Sequence, residues 1–277
     1  MFLAARATLP AGTVPAATIV GVPYDRTAFR RGARFAPGAI RWASQSIESY
    51  SPTLDRDLEE LAIHDAGDLR VEQLPADVML ESVSRAVGDA AGCPILLGGE
   101  HTVTVGAVRV LAARHSDLHV IVLDAHLDLR REYEGTRWSH ACTTRRLVEL
   151  IGPQRIAVLG ARSGTREEYA AARDLLATER RLAPGRELRT RLQDRPLYLS
   201  VDIDVLDPAF APGTGNPESA GPTAEQLFDL LRMLAPLSIV GMDLVEVAPP
   251  YDPSGRTAVL AATFLREAIL TWAASRP

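Results

Sequence analysis

At 277 residues, 47% hydrophobic and 23% charged, the chain can bury a sizeable core and is too apolar to be disordered. Its formal net charge of −5 supplies no basic face for neutralising phosphates, which argues against a nucleic-acid binder and favours a small cationic partner. Two cysteines, Cys93 and Cys142, make no disulfide framework, so reduced thiols in a cytoplasmic protein are expected.

The opening MFLAARATLPAGTVP has no charged segment ahead of its apolar residues, and Arg6 interrupts the run, so it does not read as a signal peptide. No run of about 18 apolar residues offers a membrane span. In chain order, AATIVGVP (16–23), LAIHDAG (61–67), CPILLGG (93–99), HVIVLDAH (119–126), RIAVLGAR (155–162), PLYLSVDID (196–204) and SIVGMDLVEV (238–247) read as strands. Helical stretches lie between them, among them 75–91, 102–114, 140–151 and 223–234. A last helix over 256–273 gathers Val259, Leu260, Phe264, Ala268, Ile269 and Trp272 on a broad apolar face. The Pro/Gly-rich stretches 210–222 and 248–255 read as long surface loops rather than linkers, because strand and helix alternation resumes after each. Near-continuous apolar strands separated by helices imply an α/β fold with a mainly parallel sheet covered on both faces, and the length suits a single domain over 1–277.

Polar residues gather just after the strand runs, where parallel sheets bind ligands. In extended backbone, side chains at i, i+2 and i+4 share a face, so Asp124, His126 and Asp128 are expected to point one way while Ala125 and Leu127 point inward. The same parity pairs Asp202 with Asp204, and His101 follows a strand through two glycines that allow a sharp turn. Four carboxylates cannot crowd one apolar rim as anions without cations to neutralise them. Two bridged metal ions would use all six residues, and this oxygen-rich set with two imidazoles suits manganese better than zinc or copper. Such a pair acidifies a bridging water and holds the hydroxide for attack on an electrophilic carbon. Taken singly, each motif is as well explained by a capped turn or a buried hydrogen-bonded histidine. Their joint occurrence at three strand ends points to a site. Asp207, of different parity, is expected to cap a turn. His140, opening a helix after the loop that leaves Asp128, is placed to shuttle protons, and Glu246 to grip a forked cation through two hydrogen bonds.

GGEH, DAHLD, SVDIDVLDP and DLVEVAPPYD resemble the ureohydrolase family of arginases and agmatinases, and the likeness runs from GVPYDRTAFRRGARFAPGAIR to VEVAPPYDPSGRTAVLAA. The resemblance implies a three-layer arginase-like domain, a homotrimer or homohexamer, and two Mn²⁺ ions per chain. It assigns His101, Asp124, Asp128 and Asp202 to one ion and Asp124, His126, Asp202 and Asp204 to the other. His140 would be the shuttle, Glu246 would hold the guanidinium, and Asp128 would pass a proton to the leaving amine. The match is nearest agmatinase, which turns agmatine into putrescine and urea for polyamine biosynthesis; guanidinobutyrate, aminopropylagmatine or arginine are the other substrates. An acidic contact expected of arginases soon after Arg162 is absent, while Glu132 and Glu134 would attract a distal ammonium. Glu100 stands where Asp is commoner, and Ala220 and Pro222 replace Gly and Leu in the loop GTGNPESAGPT. A binuclear phosphoesterase would need a GNHD-like motif, which does not occur, so His64 and Asp68 read as structural. A single-zinc deacylase would not need both His101 and Asp204, and an inactive scaffold would have lost ligands.

Overall fold

The computed structural model describes residues 1–272. Ten strands form, β1 (Ala17–Gly21), β2 (Tyr50–Ser51), β3 (Arg56–Asp57), β4 (Ile63–Asp68), β5 (Cys93–Leu97), β6 (His119–Leu123), β7 (Ile156–Leu159), β8 (Ala177–Glu179), β9 (Pro196–Asp202) and β10 (Ser238–Val245). Eight of them make one sheet in the order β4-β1-β5-β10-β9-β6-β7-β8, every neighbour parallel, while β2 and β3 pair as a small antiparallel ribbon. The helices are α1 (Ala36–Ser44), α2 (Ala76–Asp89), α3 (Val103–Arg114), α4 (Thr143–Ile151), α5 (Arg166–Ala171), α6 (Arg186–Leu192), α7 (Ala224–Leu234) and α8 (Arg256–Trp272).

Alternation along the strands divides the core into two layers of packing. Ile19, Ile95, Ile121, Leu197 and Leu199 bury against α1, α7 and α8, whereas Val20, Leu96, Val120, Val122 and Tyr198 bury against α2, α3 and α4. The expected mainly parallel, three-layer architecture is therefore present. All seven predicted strands form, and β8 adds an edge strand of three residues, too short to stand out in the sequence. Helices α1, α5 and α6 have nine residues or fewer, a length at which the apolar period is scarcely repeated. The predicted last helix runs to Trp272, and its final position, Ala273, lies outside the described residues. Among the described residues no helix is long and apolar enough to cross a membrane.

The strand order decides where chemistry is placed. β5, β10, β9 and β6 are consecutive in the sheet although far apart in sequence, so the segments leaving their carboxyl ends converge.

Candidate metal centre

β5 ends in Gly98 and Gly99, and the second must be glycine: a Cβ there would lie 1.8 Å from the carbonyl oxygen of Tyr24. The chain turns at once into Glu100 and His101, ahead of α3. His101 is 1% exposed. Its Nε2 lies 3.0 Å from Ser200 Oγ. That hydroxyl donates to Asp243 Oδ1 at 2.7 Å, and Tyr198 donates to Oδ2 at 2.7 Å. Because the Ser200 proton is committed to Asp243, Ser200 accepts from His101, which puts the imidazole proton on Nε2. Nδ1 is then left to face Asp124 Oδ2 at 3.0 Å, Asp128 Oδ2 at 3.1 Å and Asp202 Oδ2 at 3.5 Å.

Three of the carboxylates are held alike, one oxygen on the backbone and the other turned inward. Asp124 Oδ1 accepts from His126 N at 2.6 Å, Asp202 Oδ1 from Asp204 N at 2.8 Å, and Asp204 Oδ1 from Ala125 N at 3.2 Å. Asp204 Oδ2 then sits 3.0 Å from His126 Nδ1. Two triads, His101–Asp124–Asp128 and Asp124–His126–Asp204, each bring their ligating atoms within 4.8 Å of one another, with Asp124 in both. Asp202 stands between them.

A bound cation is what this arrangement fits. His101 Nδ1 and Asp124 Oδ2 are buried, 3.0 Å apart, and neither has a hydrogen-bond partner, so each is aimed at a third position rather than at the other. Burial pushes Asp202 and Glu246 well above the carboxylate range, and nearby carboxylates add to the effect. Asp128 rises to about 7 through burial and the Asp124 charge. His126 resists its burial and is held up at about 12 by Asp204 and Asp124. Positive charge, from protons or metal ions, is required to keep these groups together.

Extended alternation does not produce this set. β6 stops at Leu123, and Asp128 has φ +50°, so its side chain is returned to the site by a left-handed residue. Asp204 likewise lies in a 3-10 turn that Asp202 caps, rather than on β9. Glu246, at φ +61°, also leaves its strand by a left-handed residue. One of its oxygens, Oε1, already accepts from His101 N at 2.7 Å, so Oε2 is the oxygen left for a ligand instead of a symmetric pair.

The cleft over these residues has a volume of about 530 Å³ and is also lined by Arg30, Arg130, Tyr133, His140, Glu168, Asn216 and Glu218. Burial, reinforced by His101 and His126, pushes His140 down to about 4. Glu132 and Glu134, expected to draw a distal ammonium, are exposed and do not line the cleft. The loop turns Tyr133 inward between them, and Glu218 lines the cleft, its Oε1 3.7 Å from His126 Nε2.

A model of the arginase family matches residues 15–271. The chain belongs to the arginase family. It is 44% identical over 264 residues to an agmatinase of Bacillus anthracis, a match covering 92% of this chain and 91% of that protein. It is 37% identical over 280 residues to the mitochondrial guanidino acid hydrolase of Homo sapiens, covering 94% and 80%. The crystal structure of the agmatine ureohydrolase of Thermoplasma volcanium superposes with a TM-score of 0.84 at 35% identity, covering 93% of this chain and 89% of that one. The chain is thus a ureohydrolase-family enzyme, as its motifs led us to expect.

Several residues of this arginase-family site escaped the sequence reading. Tyr198 and Ser200 share the parity of Asp202 on β9, a polar alternation that was available to be read. Asp243, of opposite parity to Glu246 along the chain, lies opposite Ser200 in the β9–β10 register. Glu168 closes a capping box with Thr165, and its two oxygens accept from Leu129 N at 3.0 Å and Thr165 N at 2.8 Å. Arg162 turns its guanidinium to carbonyls of the 203–206 turn and of Glu218 and Ser219, tying the loop to the ligand turn. Ala220 takes a left-handed conformation, φ +61°. Asp207 caps its own turn, accepting from Ala209 N at 2.9 Å, and Asp68 accepts from Arg41 at 2.5 Å.

Proposed function

We propose that the chain hydrolyses a guanidine to an amine and urea, with agmatine as substrate and putrescine as product, using two Mn²⁺ ions. The sharing of Asp124 between two triads carries the binuclear reading. His101, Asp124, Asp128 and Asp202 would hold one ion, and Asp124, His126, Asp202 and Asp204 the other. When bound, the pair supplies Lewis acidity and an acidified water. The donor set, all carboxylate and imidazole without thiolate, suits manganese.

The chain's own groups do the rest. Glu246 Oε2 accepts a guanidinium N–H and orients the planar carbon over the ligands. Asp128 passes a proton to the departing amine, and His140 exchanges protons between the cleft and solvent. For the tail, Glu218 is the carboxylate best placed to meet a distal ammonium. The alternative, a guanidino acid, is favoured by Arg30 and Arg130 in the cleft wall. Arg130 lies 3.6 Å from Glu168 and Arg30 stacks 4.2 Å from the Tyr251 ring centroid, so both cations are partly engaged, which supports the amine-tailed substrate. A single domain over the chain, a cytoplasmic setting and a homotrimer or homohexamer belong to the same reading, the last to be read by light scattering.

The decisive experiment is urea release with added Mn²⁺ over agmatine, guanidinobutyrate, aminopropylagmatine and arginine, with metal counted per chain. Agmatine should give the highest kcat/KM with two ions bound, and Asp128→Asn should abolish turnover without unfolding the protein. One ion per chain, or no urea from any of the four, would sink the reading.

A further inference from the structure

His140 is held from behind by two hydroxyls. Thr27 Oγ1 accepts the backbone N–H of His140 at 3.1 Å and lies 3.4 Å from the ring Nδ1. Ser139 Oγ accepts the N–H of Ala141, capping the short turn, and also lies 3.4 Å from Nδ1. A hydroxyl has one proton. Each oxygen already accepts a backbone N–H, so its own proton is the one that can reach Nδ1, directly from Ser139 and, from Thr27, in competition with the Glu100 carboxyl. Thr27 is itself fixed from the core, because its backbone N–H donates to Glu100 Oε2 at 2.9 Å. Glu100 is fully buried. The Tyr133 ring meets the imidazole edge to face at 6.0 Å and limits its rotation.

We infer that Thr27, with Ser139 beside it, is a positioning residue that makes Nδ1 of His140 an acceptor and so presents Nε2–H to the cleft. Two converging hydroxyls serve Nδ1 even when one turns toward the Glu100 carboxyl. The consequence for the reaction is directional. A neutral imidazole with its proton on Nε2 can donate a hydrogen bond to the departing nitrogen, which gains a lone pair as its carbon turns tetrahedral, whereas the other tautomer would offer only a lone pair there. Glu100 acts one step further back, its Oε2 accepting the Thr27 backbone N–H.

The inference rests on the guanidine-hydrolase reading for its kinetic arm only. Its first test is spectroscopic: long-range ¹H–¹⁵N correlation of the imidazoles in the metal-free full chain and in the chain loaded with diamagnetic Mg²⁺, with His140 assigned by its loss in His140→Gln. The wild type should show the proton on Nε2. Thr27→Val with Ser139→Ala should release the ring to a mixture of tautomers, and Thr27→Ser should restore the wild-type pattern. In agmatine turnover, Thr27→Val/Ser139→Ala should lower kcat by about 10- to 100-fold with KM and bound metal nearly unchanged, at or below the low end of the roughly 10²- to 10⁴-fold that a proton-transfer group itself contributes, since the imidazole is kept, and Thr27→Ser should recover it. A proton on Nδ1 in the wild type, or an unaltered tautomer and kcat in the double variant, overturns the inference. Wild-type protein that shows the Nε2 proton but releases no urea leaves the positioning intact and overturns the functional reading instead.

Discussion

The His101 imidazole is oriented by a relay that begins away from any ligand. Tyr198 and Ser200 donate to Asp243, Ser200 accepts from Nε2, and the opposite nitrogen is thereby turned to the carboxylates. Groups behind a ligating histidine fix its tautomer and basicity, and losing one typically costs about 10- to 100-fold in metal affinity. Ser200→Ala should therefore weaken Mn²⁺ binding by roughly that factor, measured by competition with a chelating dye, while the far-ultraviolet spectrum stays unchanged; equal affinity would show that the relay is idle. The six candidate ligands were nominated from residue type and position after strands. Their convergence was not, because it depends on φ +50° at Asp128 and on the turn at Asp204. A left-handed aspartate is sterically tolerable but not announced by its neighbours in sequence.

The element that anchors the amino-terminal edge is α1, tied to β4 by Arg41. Its guanidinium donates to both oxygens of Asp65 at 2.8 Å, and Asp65 also accepts from Phe2 N at 2.8 Å. Burial alone would raise the Asp65 carboxyl, yet the bonds from Arg41 and Phe2 outweigh it and hold the pKa below the ordinary range. A carboxyl whose pKa is depressed on folding contributes stability above its unfolded pKa, about 3.9, and loses it as pH falls toward the folded value. Removing one partner of such a pair leaves a buried charge at a cost of about 3 kcal/mol. Asp65→Asn should thus lower Tm by a constant amount from pH 7 to pH 5, and the gap to wild type should narrow below about pH 4; a gap independent of pH would refute the linkage. The helix itself was passed over because nine residues show little more than two turns of period, although Ile40 and Ala43 bury one face as an amphipathic helix requires.

Across the whole molecule, the metal centre is a junction. His101 follows β5, Asp124, His126 and Asp128 follow β6, and Asp202 ends β9 with Asp204 in the turn after it, so ions held there would cross-link three strands, with Glu246 after β10 standing among them. Ligands bound only by the folded state stabilise it by RT ln(1 + [L]/Kd), about 2.7 kcal/mol at a hundredfold excess over Kd. Stripping the protein with a chelator should lower Tm by roughly 5 °C, with restoration on adding Mn²⁺; a Tm indifferent to chelation would mean the carboxylates are held together by protons alone.

Periodicity and composition were enough to establish a parallel α/β architecture, since strands buried on both faces must be apolar throughout and helices must cover them. Residue chemistry was enough to nominate a metal centre, since four crowded carboxylates demand cations. Which oxygen of each carboxylate faces inward, which nitrogen of His101 and His140 carries the proton, and that Glu218 rather than Glu132 or Glu134 lines the cleft were left to the folded chain. Each depends on hydrogen bonds between segments as much as 145 positions apart, the separation of His101 and Glu246, and the order β5-β10-β9-β6 that brings those segments together is written in no local stretch of sequence.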